Sequence, residues 1–165
     1  MPDRAATFAA TLAALLVGHT VGDHLVQTDH QAARKAASWR AMAGHVAGYQ
    51  ATCAATLAAV HALTGSRPSW RRVIAGHAFS AATHALIDRR WPVTWILEHT
   101  GSRAFAASKT VQIPSGMVRP GAIFGEQFTH HSPAPLPLHG PYLADQALHH
   151  ACLLVAALII TGGRR

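Results

Sequence analysis

The chain has 165 residues, half of them hydrophobic and only 13% charged, with Lys and Arg at 14 positions against 7 for Asp and Glu and a net charge of +7. Globular domains carry roughly 25% charged residues, so this composition excludes a disordered chain, a coiled coil and a solvated binding arm, and the length leaves room for one domain. The basic residues fall in short groups between apolar stretches, which suits anionic lipid headgroups, and no helix carries the basic face of a nucleic-acid reader, so no nucleic-acid partner is expected.

In chain order, no Lys or Arg occurs between Ala5 and Ala33, and a first helix is expected over 5–26. Arg4 followed by Ala5 to Val17 has the outline of a secretory signal. The apolar stretch runs on into His19 and Asp23, however, and is read as a membrane helix. No charged residue occurs between Ala41 and Ser66, and a second helix is expected over 41–63. Both stretches exceed the roughly 20 residues that cross a bilayer. Thr64 to Ser69 is a turn, and a third, shorter helix is expected over 71–90. Trp91-Pro92 is expected to end the helical pattern, with Trp95 at the membrane interface. The Pro-, Gly- and Ser-rich stretch 101–140 reads as a loop or lid, with Ser132 to Pro137 extended and His130, His131 and His139 solvated. A last helix is expected over 141–161, with Asp145 as its one charged residue.

The expected fold is therefore all-α, a single membrane domain over 1–165 with three to four transmembrane helices, multi-pass in the cytoplasmic (inner) membrane. Alanine dominates every span, so some helices are expected to pack half-buried against others rather than face lipid. Basic residues divide nearly evenly between the two sides, which leaves the orientation open. Cys53 and Cys152 have no partner at metal-ligand or disulfide-framework spacing and read as packing residues.

The chemistry lies in the rare aspartates. Of five, three have a histidine four residues away: His19-x-x-x-Asp23, His84-x-x-x-Asp88 and Asp145-x-x-x-His149. Four residues is one helical turn, so each pair shares a face. Ionisable side chains inside a membrane helix face the bundle interior, paired or bound to something. Three such pairs facing one another make a nitrogen and oxygen cage for zinc, manganese or iron. The expected metal ligands are His19, Asp23, His84, Asp88, Asp145 and His149. Gln27, one turn beyond Asp23, together with His45, His77 and Gln146, is expected around them, and Asp23 or Asp145 is the candidate general base.

The segment Gly18-His19-Thr20-Val21-Gly22-Asp23-His24-Leu25-Val26-Gln27 resembles the opening motif H-x-x-G-D-F-x-x-Q of a family of small bacterial and phage membrane proteins, domain of unknown function 3307. Its later H-x-x-x-D and D-Q-x-x-H motifs are matched by His84 to Asp88 and by Asp145-Gln146-Ala147-Leu148-His149. His24 stands where the family has an aromatic residue, and Arg89-Arg90 where a lysine is more usual. The resemblance runs from about His19 to Leu154 without the long loop. It implies a polytopic membrane location and a functional grouping of the His/Asp residues, in a layout similar to inner-membrane metal-dependent hydrolases.

The expected function is metal-dependent hydrolysis of an anionic lipid phosphoester or a peptide at the membrane. The alternative is a metal-ion or proton transporter or sensor that uses the same cage without cleaving a bond. Ala- and Gly-rich faces such as Ala41 to Gly48 would also allow close packing with another chain, a second copy included.

Overall fold

Alanine is the strongest helix former, and no proline occurs between Asp3 and Arg67, so the first half of the chain is almost continuously helical. The computed structural model describes residues 3–107, 110–111, 134–135 and 140–162. Helix α1 spans Arg4–Val21 and runs into one π-helical turn, Gly22–Val26. Next come α2 (Asp29–Arg34), α3 (Trp39–Thr64), α4 (Trp70–Ile87), α5 (Trp91–His99), α6 (Arg103–Ala107) and α7 (Gly140–Thr161). Among the described residues the only β structure is a ladder in which Thr110 pairs with Pro135 and Val111 with Ala134.

Local chemistry sets the boundaries. Thr28 and Gln31 form a reciprocal capping box at the start of α2, each side chain bonding the other's backbone N–H. Gly65 ends α3 in the left-handed conformation, φ 66°, which glycine adopts without a Cβ clash. Arg90 takes the same conformation between α4 and α5. Trp91-Pro92 does not end the helical pattern: it opens α5, with Pro92 in the first turn, where its missing N–H has no intrahelical partner to lose. Ala134–Pro135 belongs to a strand rather than to an unpaired extended segment. The rest of the 132–137 segment, and His130, His131 and His139, lie outside the described residues.

The chain divides into two compact units, 1–92 with 147–165, and 93–146. In the first, α1, α3, α4 and the later turns of α7 close on a core of Ala14, Leu15, Tyr49, Cys53, Leu57, Leu153, Ala156, Ala157 and Ile160. Cys53 packs in this core and Cys152 is half-buried, both as free thiols. The second unit holds most of α5, α6, the ladder and the first turns of α7.

Two helices, the α1 stretch Arg4–Val26 and α7, are long and apolar enough to cross a membrane. Among the described residues no other helix is. Histidines, hydroxyls and amides such as His45, Tyr49, Gln50, Thr52 and Thr56 in α3, and His77, Ser80, Thr83 and His84 in α4, dilute the apolar character of those helices.

Glycines let α1 approach α3 closely. A Cβ on Gly18 would lie 2.7 Å from Cys53 Cα, and one on Gly22 would lie 3.0 Å from Tyr49 Cα. Thr56 Oγ1 also donates to the Ala14 carbonyl at 2.9 Å. Gly18→Ala should therefore cost about 1–3 kcal/mol of stability through overpacking. Gly44→Ala meets only the flexible end of Gln31 and should be near neutral. Thermal denaturation of the two variants checks the contrast.

Candidate metal centre

The two glycines that draw α1 onto α3 flank the residues that matter. Gly18 precedes His19 and Gly22 precedes Asp23, so the close approach presses His19 and Asp23 into the interior, where both are buried. Asp23 sits on the π-helical turn, closed by the Gln27 N–H donating to the Gly22 carbonyl. Such turns re-aim side chains relative to a regular helix and recur at functional sites. The His19 ring nitrogen Nδ1 lies 3.6 Å from Asp23 Oδ2.

The other Asp23 oxygen meets two further helices. Oδ1 is 3.3 Å from Nε2 of His45, on α3, and 3.3 Å from Nε2 of His84, on α4. Asp88, one residue past the end of α4, places Oδ2 3.0 Å from His45 Nε2 and 3.2 Å from His84 Nε2. The two Nε2 atoms are 2.9 Å apart. Two imidazole nitrogens at that distance share at most one proton, or both turn a lone pair towards a cation. Four donor atoms, two nitrogen and two oxygen, thus converge from three parts of the chain.

The spacing suits a metal ion. Tetrahedral ligands about 2.0 Å from a central ion stand about 3.3 Å apart, and the His45, His84 and Asp88 donor atoms, 2.9 to 3.2 Å from one another, come close to that spacing. Among the described residues, two buried groups can hold a metal ion: His19, Asp23 and His84, and His45, His84 and Asp88. His84 belongs to both.

The surroundings fix the His84 ring. Tyr49 stacks on it with ring centroids 3.8 Å apart and planes 10° from parallel, and the Tyr49 hydroxyl is 2.6 Å from Ser80 Oγ, one turn back on α4. The His149 ring, from α7, stacks on His19 at 4.9 Å and lies 4.5 Å from His84.

Not every expected residue joins the cluster. His45, read from the sequence only as a neighbour of the ligands, supplies one of the four converging atoms. His77 donates from Nδ1 to Gln50 Oε1 at 2.6 Å, a separate polar contact between α4 and α3. The Gln27 amide donates to the Asp23 backbone carbonyl at 3.2 Å, which steadies the π-helical turn rather than reaching a donor atom of the cluster. Asp145 and Gln146 are half-buried on the first turns of α7, in the second unit, where Gln146 Nε2 donates to Asp145 Oδ2 at 3.3 Å. Neither group of metal-ligand geometry includes Asp145 or His149.

One participant had no sequence signal at all. Lys35, one residue past α2, sets Nζ 3.0 Å from Asp88 Oδ2 and 3.1 Å from His45 Nε2. Its side chain is largely buried, between the Asp88 carboxylate and the His45 ring.

No family model, no curated protein and no solved structure matches the chain.

Imidazole and carboxylate bind metal only when deprotonated, so protons compete with any ion held here. Affinity for zinc should fall at least about tenfold between about pH 7.5 and about pH 5.5, as the imidazoles protonate. A competition titration across that range checks it, and a flat profile would show that the histidines are not ligands.

Proposed function

We propose that the chain is an integral membrane metalloprotein that holds a divalent cation between Asp23, His45, His84 and Asp88, and hydrolyses a substrate at the membrane. The supporting observation is the convergence of four buried donor atoms at 2.9–3.3 Å. The two-nitrogen, two-oxygen donor set favours zinc, with manganese and iron as the other candidates. His19 and His149 pack against the cluster as the next layer. On this proposal the chain also belongs with the domain of unknown function 3307 family, and its residence is the inner membrane.

The distribution of polarity supports the membrane assignment. His19, Asp23, His45, His84, Asp88 and His149 are buried, while Leu25, Leu63, Ile74 and Leu158 are more than half exposed. All four tryptophans, Trp39, Trp70, Trp91 and Trp95, are also more than half exposed. Three of them are the first residues of helices, a position suited to the headgroup layer. A polar interior under an apolar surface is the arrangement a bilayer stabilises. With α1 and α7 crossing, α3 and α4 would lie within the bundle with their polar faces turned inward, giving three to four spans in all.

A divalent ion in this position would supply Lewis acidity and a nucleophilic water at neutral pH. Asp23 has one oxygen among the four donors and the other turned to His19. It is therefore the residue best placed to take a proton from an attacking water, with His19 orienting it. Tyr49 and Ser80 hold His84 in position.

A second reading rests on the polar contacts that continue along the α3–α4 interface, Tyr49 to Ser80 and Gln50 to His77. A relay that passes protons or metal ions needs such a stripe. Flux measurements in proteoliposomes separate it from an enzyme.

Elemental mass spectrometry of detergent-purified protein is the direct test. The wild type should carry near-stoichiometric metal, and Asp23→Ala and His84→Ala should each lose it, with hydrolysis falling by about a thousandfold or more. A wild type without metal, in which both variants merely lose stability, would overturn the proposal. Retention of the chain in membranes through an alkaline carbonate wash is expected in parallel.

A further inference from the structure

Lys35 touches Asp88 and His45 of the cluster, Arg89 follows Asp88 in the chain, and neither is needed to ligate an ion. They are joined across the same junction. Lys35 Nζ pairs with Asp88, and Arg89 Nη1 donates to the carbonyl of Ala36 at 2.8 Å. The Arg89 guanidinium lies over the Trp39 ring, 3.7 Å from its centroid, which fixes its plane. Its remaining donors, Nε and Nη2, are buried and have no hydrogen-bond partner. These two N–H groups form the side-on edge of the guanidinium, the fork that fits two oxygens of a phosphate or carboxylate.

Charge points the same way. Without an ion, the carboxylates of Asp23 and Asp88 balance the cations of Lys35 and Arg89. A divalent ion would bring two further positive charges and take the Asp88 and His45 lone pairs that now hold the ammonium. A buried site with that excess calls for a dianion.

We propose that Lys35 and Arg89 form a phosphate-binding subsite beside the metal centre, so that the substrate is a phosphate ester whose dianionic group meets the ion, the ammonium and the guanidinium edge together. This rests on the metal-dependent reading of the same centre. A phosphate group recognised this way belongs either to a lipid headgroup or to a soluble ester.

The test uses the full chain in detergent with its metal content measured, and inorganic phosphate as the calorimetric titrant. Lys35→Gln and Arg89→Gln should keep the metal and each weaken phosphate binding by about tenfold or more. Lys35→Arg keeps the charge and should restore most of the affinity, which separates loss of the subsite from loss of the fold. Phosphatidate in mixed micelles, titrated in the same detergent, assigns the source. Tighter binding than inorganic phosphate points to a lipid ester, and equal binding to a soluble one. Metal-loaded wild type that binds no phosphate, or variants with unchanged affinity, would overturn this proposal alone. A wild type that holds no metal would overturn it together with the reading on which it rests.

Discussion

Two aspartates held in the protein interior against the same pair of imidazoles dominate this structure. Asp23 and Asp88 each lie within 3.3 Å of both His45 Nε2 and His84 Nε2. Carboxylates gathered this closely in a low-dielectric interior repel each other, and they stay ionised only if cations or strong donors face them. The neighbouring features serve that requirement. Gly18 and Gly22 bring α1 near enough to α3 for Asp23 to reach His45, and the π-helical turn aims the carboxylate. Tyr49 and Ser80 hold His84 from behind, and α2 ends where Lys35 reaches Asp88.

The same constraint explains the arrangement of polarity. The cluster fills the space between α1, α3 and α4 with polar groups, while Leu25, Leu63, Ile74 and Leu158 are more than half exposed. The apolar core that remains is displaced along the helices, to Leu15, Leu57, Leu153 and Ile160. Gly76 lets α4 approach α7 there, since a Cβ at that position would lie 2.5 Å from Ile160 Cγ1. One stretch of the first unit is thus sealed by aliphatic packing and another is given over to ionisable groups.

The cation side of the balance comes from connecting segments rather than from the long helices. Lys35 follows α2, and Arg89 follows α4 directly after Asp88. Tying these two short stretches together through Lys35–Asp88 and Arg89–Ala36 closes the cluster on one side with positive charge. It also leaves a guanidinium edge without a partner, an arrangement that costs stability unless a ligand uses it.

Much of this was open to inspection in the chain itself. The long helices follow from alanine-rich stretches with no proline beyond a first turn, and the His19/Asp23 and His84/Asp88 pairs follow from helical periodicity, which puts residues four apart on one face whatever the tertiary fold. Glycine at Gly18 and Gly22, one turn apart beside those residues, also marks a close approach once its cause is seen. Periodicity says nothing, however, about which face of one helix meets which face of another. The promotion of His45 from neighbour to central donor, the diversion of His77 to Gln50, and the burial of Lys35 beside Asp88 were all decided by packing between segments 10 to 53 residues apart. The short helices α2 and α5 escaped for a different reason: few residues carry no clear hydrophobic period, and Trp91-Pro92 reads equally as an end or as a beginning. Local sequence therefore determined the elements and the residue types available for chemistry. The tertiary structure alone decided which of them share a site, because ionic and lone-pair contacts depend on ångström-scale distances that helix packing sets.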